Sequence, residues 1–98
     1  MIFRGGARIG LFNATWPFAT LNVSDDALSL KVFSRQYSLK KEEVTRLEYF
    51  RGWFSVGVKI VHTGAVLDSY AVFWSLAPTK ILAEAKRVGF RTTDEKAA

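Results

Sequence analysis

Apolar and polar residues alternate along most of the chain as far as position 74, which is the pattern of β-strands with one buried face. The most regular runs are "ALSLKV" at 27–32, "YSLK" at 37–40 and "WFSVGVKIVH" at 53–62. Turn residues separate the runs, as in "SDD" at 24–26, because Ser and Asp side chains hydrogen-bond nearby backbone amides. The pattern predicts seven short strands. The side chains expected to face the core are Ala19, Leu21, Val23, Leu28, Leu30, Val32, Tyr37, Leu39, Leu47, Tyr49, Phe54, Val56, Val58, Ile60, Tyr70, Val72 and Trp74.

The period changes after the last predicted strand. Pro78 stands where a helix tolerates proline best, in the first turn, because the missing backbone donor is not needed there. Gly89 suits the position after a helix, and Phe90 follows it for the hydrophobic contact of a Schellman ending. The pattern therefore predicts one amphipathic helix of about eleven residues before a polar tail at 91–98. Its apolar stripe consists of Ile81, Leu82, Ala85 and Val88.

The stretch "FNATWPFATL" at 12–21 combines turn residues with large aromatic side chains. Asn13 and Thr15 favour a turn, and Pro17 restricts Trp16 to extended geometry. We therefore expect a stiff connection between the first two strands. We expect Trp16 to pack inward as a plug of the core, the alternative being that it faces a partner.

Size and composition set limits on the kind of protein. The chain has 98 residues, a formal net charge of +5, no cysteine and a single histidine, His62. One domain of this size buries roughly 60–65% of the surface of its unfolded chain, which supports one core. Without cysteine there is no disulfide or thiolate metal site, and one histidine excludes a His-rich metal site, so we expect neither metal nor cofactor. The N-terminus lacks an apolar signal segment and no run is long enough to span a bilayer, so a cytoplasmic location is expected.

Four segments together resemble the small bacterial pleckstrin-homology-like (PH-like) domains of unknown function. The segments are "WPFATLNVSDDALSLKV", "YSLKKEEVTRLE", "WFSVGVKIVH" and "YAVFWSLAPTKILAEAKRVGF". The resemblance implies a mainly β (α+β) fold, a seven-stranded, partly open antiparallel barrel of two near-orthogonal sheets capped by one C-terminal helix. It implies a single PH-like domain over 1–98, with a core at about 8–90.

PH-like domains include phosphoinositide binders, peptide binders and protein-interaction scaffolds, so the fold alone does not fix the function. Phosphoinositide-binding members carry Lys and Arg where the first strand passes into the second. The corresponding segment here, "GLFNATWPFATL", contains neither Lys nor Arg. Since such sites depend on charge-assisted hydrogen bonds from cations, the resemblance does not extend to phosphate recognition at this loop.

Two other functions are weighed against an interaction role. An enzyme would depend on His62 as a base with Asp68 or Glu48 as its partner, but no spacing supports that arrangement, and a strand-end histidine is the simpler interpretation. Nucleic-acid binding is suggested by basic residues interleaved with aromatic ones in "KVFSRQYSLKK" and "YFRGWF". No RNP-like signature accompanies them, and strands of a barrel use aromatic residues for packing, so nucleic-acid binding through these residues is kept as an alternative and not as the expected function.

Strand parity points instead to a surface for a protein partner. On the predicted register, several aromatic residues fall on the face opposite the core, and contiguous aromatics on an outer face mark an association surface. We expect a non-catalytic module that binds a protein or self-associates, with binding to a membrane surface as an alternative. The candidate interaction surface consists of Phe33, Arg35, Phe50, Arg51, Trp53 and Phe73.

Overall fold

The computed structural model describes residues 1–52 and 55–93. Within these residues the chain forms eight strands, one 3₁₀ turn and one α-helix. In chain order they are β1 (Ile2–Ile9), β2 (Phe12–Val23), β3 (Ala27–Val32), β4 (Arg35–Lys40), the 3₁₀ turn Lys41–Glu43, β5 (Val44–Arg51), β6 (Val56–His62), β7 (Ala71–Trp74), α1 (Pro78–Arg87) and β8 (Thr92–Thr93).

The strands form one curled, half-barrel sheet in the order β4-β3-β2-β1-β7-β6-β5-β8. All neighbours are antiparallel except β5 and β8, which are parallel. The prediction of a mainly β chain with a C-terminal helix is confirmed. The predicted number of seven strands is wrong, because Thr92 and Thr93, placed in the polar tail, pair with Leu47 and Glu48 of β5. The periodic pattern missed β8 because a strand of two residues shows no alternation.

Close backbone contacts between neighbouring strands require glycine where the sheet curls. A Cβ atom on Gly5 would lie 2.0 Å from the backbone oxygen of Trp74, and one on Gly57 would lie 2.2 Å from that of Phe73. Glycine within a strand is typical of sharp bends where another backbone approaches. These two positions therefore let β1, β7 and β6 curl around the core.

The concave face of the sheet carries the core together with the helix. The predicted inward residues of β2, β3 and β4 lie there, among them Leu21, Leu30 and Leu39, which confirms the parity of those strands. The parity predicted for β7 is wrong. Phe73, a candidate surface residue, is fully buried in the core, whereas Trp74 of the same strand lies on the convex face. Every residue of "AVFW" is apolar, so alternation could not indicate which face is buried.

Helix α1 packs mainly on β5, β6 and β8, with fewer contacts to β2, and ends as predicted. Gly89 has a φ of +100°, its N–H donates to Lys86 O, and Phe90 N–H donates to Ala85 O, which is the Schellman pattern. The ammonium of Lys41 adds hydrogen bonds to the backbone oxygens of Asp25 and Val88. This side chain therefore ties the 3₁₀ turn to the negative end of the helix.

A large bulge occupies the middle of β2. Gly5 pairs with Ala19 and Ala7 with Ala14, so the four residues 15–18 stand opposite the single residue Gly6. The predicted turn at "FNATWPFATL" is therefore wrong, since the stretch lies within a strand and the turn is at Gly10 and Leu11. The expectation for Trp16 is wrong as well: the side chain is 67% exposed, because the bulge carries it out of the ladder.

Candidate interaction site

Three exposed phenylalanine side chains lie together at one end of the sheet, where the ring of Phe33 contacts the rings of the other two. Phe12, Phe18 and Phe33 are 52%, 52% and 53% exposed. The ring centroids of Phe18 and Phe33 lie 5.3 Å apart in a stacked arrangement, and those of Phe12 and Phe33 lie 6.1 Å apart edge to face. Such contiguous exposed aromatic surface is typical of an association site. We call these three residues the phenylalanine cluster.

Neighbouring strands bring the cluster together. Phe12 begins β2, and Phe18 ends the bulge of that strand. Phe33 is the first of two turn residues between β3 and β4, and its backbone N–H donates to the oxygen of Phe18 at 3.1 Å. This hydrogen bond continues the ladder of β2 and β3 into the turn and holds the ring of Phe33 beside that of Phe18.

Phe33 adopts a backbone conformation that a bulky side chain rarely takes. Its φ is +55°, in the left-handed region that favours glycine. Strain of this kind costs about 1–3 kcal/mol and is typical of functional positions. An aromatic side chain at this turn position lowers stability in exchange for a ring exposed at the end of the sheet.

A groove of about 320 Å³ opens next to the cluster. Ile9 and Val32 form its apolar floor, and Phe12 and Phe33 form one rim. Its other side is formed by Ser34, Arg35 and Tyr37. The volume lies at the lower end of the range for ligand sites, which suits one or two large side chains of a partner. We call this space the mouth groove.

Three basic side chains lie on the strands that form the mouth groove, and one of them lines it. Arg35 lines the groove, whereas Lys31 alternates with the buried Leu30 and Val32 and therefore lies on the opposite face of β3; both are exposed. Arg8 donates from Nε to the oxygen of Gly10 and lies 5.6 Å above the ring of Tyr70. Asp68 is the nearest acidic side chain to the first turn, and its Oδ1 accepts a hydrogen bond from the backbone of Tyr70. Arg35 is thus the charged side chain among the lining residues, and it favours an acidic group in the groove.

The other predicted surface residues do not join this site. Phe50 lies on the convex face as predicted, but it is half-buried, packing against Tyr70 and Trp74 with centroids 6.4 and 5.7 Å away. Arg51 is exposed at the end of β5. Trp53 lies outside the described residues. Of the six candidates, the structure places Phe33 and Arg35 at the mouth groove and buries Phe73 in the core.

His62 uses both ring nitrogens to hold the loop between β6 and β7. Gly64 N–H donates to Nδ1 at 3.0 Å, so Nε2 carries the proton and donates to Asp68 O at 2.9 Å. Both partners are backbone groups. Within residues 1–52 and 55–93, no group of three or more acidic, Cys or His side chains is arranged to hold a metal ion.

A second, shallow groove of about 420 Å³ lies beside the end of α1. Arg46, Lys86 and Arg91 line it together with Phe90 and three threonines. The charges give this groove a positive potential, but Arg46 pairs with Glu48. It lies at β5 and β8, whereas the mouth groove lies at β1–β4.

Sequence reasoning missed Phe12 and Phe18. Both lie in the stretch predicted to be a turn, and their contacts depend on the ring of Phe33 from another hairpin. The available signal was composition, since "FNATWPFATL" carries three large aromatic residues among polar ones. Pairing of β2 with β3 then decides that these rings meet.

Comparison of the chain with protein-family models, curated proteins and solved structures finds no match. No helix in the described part of the chain is long and apolar enough to cross a membrane.

Proposed function

We propose that the chain is a non-catalytic, PH-like interaction module that binds an acidic segment of a protein partner at the mouth groove. The observation that carries the proposal is the phenylalanine cluster. Its three rings stay half-exposed, and one of them is held in a strained backbone conformation beside an open groove. Aromatic anchors around a pocket are the usual source of affinity in protein interfaces.

Charge favours an acidic partner over a second copy of the chain. The formal net charge is +5, and Arg35 lines the mouth groove. Two copies that met through this surface would bring like charges together, which disfavours association. An acidic partner gains from the same charges, mainly through faster encounter.

The bonding of His62 supports the non-catalytic part of the proposal. A general base requires an orienting group and a substrate proton within hydrogen-bond reach. Here the protonated Nε2 is engaged with Asp68 O, and Nδ1 accepts from Gly64 N–H. Both nitrogens serve the loop, so the imidazole acts as a structural bridge.

Site-specific photo-cross-linking tests the proposed function. A benzophenone amino acid is placed in the full chain at position 18 or 33, and at position 76 as the control, because Leu76 is exposed outside the cluster. The partner trapped from cells of the source organism is purified, and its affinity is measured. We expect cross-links at 18 and 33 but not at 76. We expect Phe18→Ser to weaken binding by about tenfold or more, as for an interface anchor, and Leu76→Ser to leave it unchanged.

Other occupants of the site give different results. A dimer in sedimentation that Phe18→Ser dissociates identifies a second copy. Flotation with phosphatidylserine vesicles that requires Phe18 identifies a membrane surface, and a salt-dependent shift of a labelled oligonucleotide identifies nucleic acid. Each of these results, without a partner protein at positions 18 and 33, contradicts the proposal.

A further inference from the structure

Strand β4 is an edge of the sheet, and its residues alternate between bonding to β3 and directing their backbone groups outward. Lys41 N–H donates to Asp26 O, one step beyond the pair of Lys40 with Ala27. In an antiparallel ladder the hydrogen-bonded pairs recur at every second residue. Tyr37 and Leu39 therefore direct their backbone groups toward β3. The bonds on the other side of β3 agree, since Ser24 N–H donates to Ala27 O and Phe33 N–H donates to Phe18 O. The odd-numbered residues of β3 therefore bond to β2, which leaves its even-numbered residues to bond to Tyr37 and Leu39 of β4.

The intervening residues of β4 direct their backbone groups outward. Gln36 and Ser38 point their N–H and C=O groups away from β3, and their side chains are exposed. Within residues 1–52 and 55–93, no strand pairs with this side of β4. Two donors and two acceptors are thus available at the edge, which is the arrangement that accepts an additional strand.

The free edge adjoins the mouth groove. Arg35 and Tyr37 lie on the concave face and line the groove, and they alternate with the outward-bonding residues. A strand bonded antiparallel to Gln36 and Ser38 would place one residue opposite Tyr37 and another, two positions away, opposite Arg35. These two pairs are of the non-hydrogen-bonded type, in which facing side chains are closest.

We propose that the partner segment adds to β4 as an antiparallel strand, with an apolar residue opposite Tyr37 and an acidic residue opposite Arg35. This inference rests on the proposed function and specifies its mode of binding. The apolar side chain enters the mouth groove, and the acidic side chain pairs with the arginine across the strands. The recognised segment therefore carries an apolar and an acidic residue two positions apart.

The chain's own β4 does not meet this requirement. Pairing of two copies around a two-fold axis at Tyr37 would set Arg35 opposite Leu39 of the second copy. An arginine opposite leucine gains no ion pair, and Lys40 adds a positive charge near each end of the edge. Basic residues on an edge strand protect it against self-pairing, which leaves it free for an acidic segment.

Selection from a phage-displayed library of random twelve-residue peptides on the full chain tests the inference. Selected peptides are synthesised and measured by fluorescence anisotropy against the wild type and four variants. Ser38→Pro removes one edge donor, and this strand position tolerates proline because its N–H points outward. Ser38→Val keeps that donor and is the matched control. Arg35→Gln removes the charge, and Phe18→Ser disrupts the phenylalanine cluster.

We expect enrichment of peptides with an apolar and an acidic residue two positions apart. Loss of one hydrogen bond predicts about tenfold weaker binding to Ser38→Pro, with Ser38→Val unchanged. Hydrogen exchange of the wild type gives an independent measure. Before peptide addition, the amides of Gln36 and Ser38 should exchange faster than those of Tyr37 and Leu39, and peptide should slow the first two by about tenfold or more.

The outcomes separate this inference from the proposed function. Peptides that depend on Phe18 but leave exchange at Gln36 and Ser38 unchanged overturn strand addition and support the cluster as the binding surface. Peptides that slow exchange at the edge but bind Phe18→Ser normally support strand addition and contradict the proposed role of the cluster. Recovery of no binding peptide overturns strand addition, and cross-linking at positions 18 and 33 then decides the proposed function separately.

Discussion

At position 33 we expect the glycine variant to be more stable than the alanine variant, which is the reverse of the usual order within a strand. We compare Phe33→Gly with Phe33→Ala, and Phe18→Gly with Phe18→Ala. Phe33 has a φ of +55°, whereas Phe18 lies in β2 with a negative φ. The two rings are equally exposed and stack on each other, and within each pair both variants remove the same ring.

The magnitudes follow from burial and backbone strain. Full burial of a phenylalanine contributes about 1.5–3 kcal/mol, so the buried half of Phe33 contributes about 1 kcal/mol. Both variants lose this term. Alanine retains the cost of a left-handed conformation, about 1–2 kcal/mol, whereas glycine does not. Phe33→Gly should therefore unfold at nearly the wild-type free energy, with Phe33→Ala about 1 kcal/mol less stable. At Phe18, alanine should exceed glycine by about 0.5–1 kcal/mol, because glycine weakens a strand.

Urea unfolding of the four variants, followed by tryptophan fluorescence and by circular dichroism, measures these differences. In thermal unfolding, a difference of 1 kcal/mol between two variants corresponds to about 4–8 °C in Tm for a domain of this size. If alanine is at least as stable as glycine at position 33, the backbone there is not strained, and the argument that strain holds this ring at the site fails. The partner identified by cross-linking should bind Phe33→Gly at least about tenfold more weakly than the wild type. This variant is nearly as stable as the wild type, but it lacks the anchor ring.

Three further predictions concern the core and helix α1. Phe73→Ala should cost about 3–5 kcal/mol in chemical unfolding, since the ring is fully buried, and a cost below about 1 kcal/mol would place it on the surface. Lys41→Met should lose about 1 kcal/mol, because the ammonium bonds the backbone oxygen of Val88 at the C-terminal end of α1 as well as that of Asp25; Lys80→Met, near the positive end of the same helix, should lose nothing, and equal losses would refute a helix-end effect. The hydrogen bonds from Arg87 lower the pKa of Glu84 below the ordinary value of 4.5 for this side chain, so their stabilisation is complete above that value and disappears as pH falls through the lowered pKa. NMR titration should show that the pKa of Glu84 rises in Arg87→Gln, and an unchanged pKa would contradict the assigned cause.

The sequence predicts those parts of the fold in which one face of an element differs from the other. Leu28, Leu30 and Val32 alternate with less hydrophobic or exposed positions, so parity identified the buried face of β3. Ile81 and Leu82 recur at helical spacing with Ala85, and the ending at Gly89 follows from its backbone freedom. In these segments the local pattern and the tertiary environment agree.

Parity fails where strands interact irregularly. The bulge at residues 15–18 shifts the alternation of β2, so counting from Leu21 does not predict the orientation of Phe12. In β7, Phe73 and Trp74 are both apolar, and only the neighbouring strands decide which faces the core. The candidate site shows the same limit. Phe33 was predicted to be exposed, but its contacts with Phe18 depend on pairing between β2 and β3.

The position of helix α1 explains why the site stays open. The helix packs mainly on β5, β6 and β8, where β8 also closes the edge of β5, and it reaches across to β2 but makes no comparable contact with β4. The opposite edge, β4, has no such cover in the part of the chain that the structure describes. Its basic ends discourage pairing with another copy, while Gln36 and Ser38 keep their outward backbone groups unpaired by β3. The same edge borders the mouth groove and, through the turn at Phe33, the phenylalanine cluster. Backbone recognition, an apolar pocket and positive charge thus meet at one edge, and this convergence favours an extended acidic segment over a flat surface as the partner.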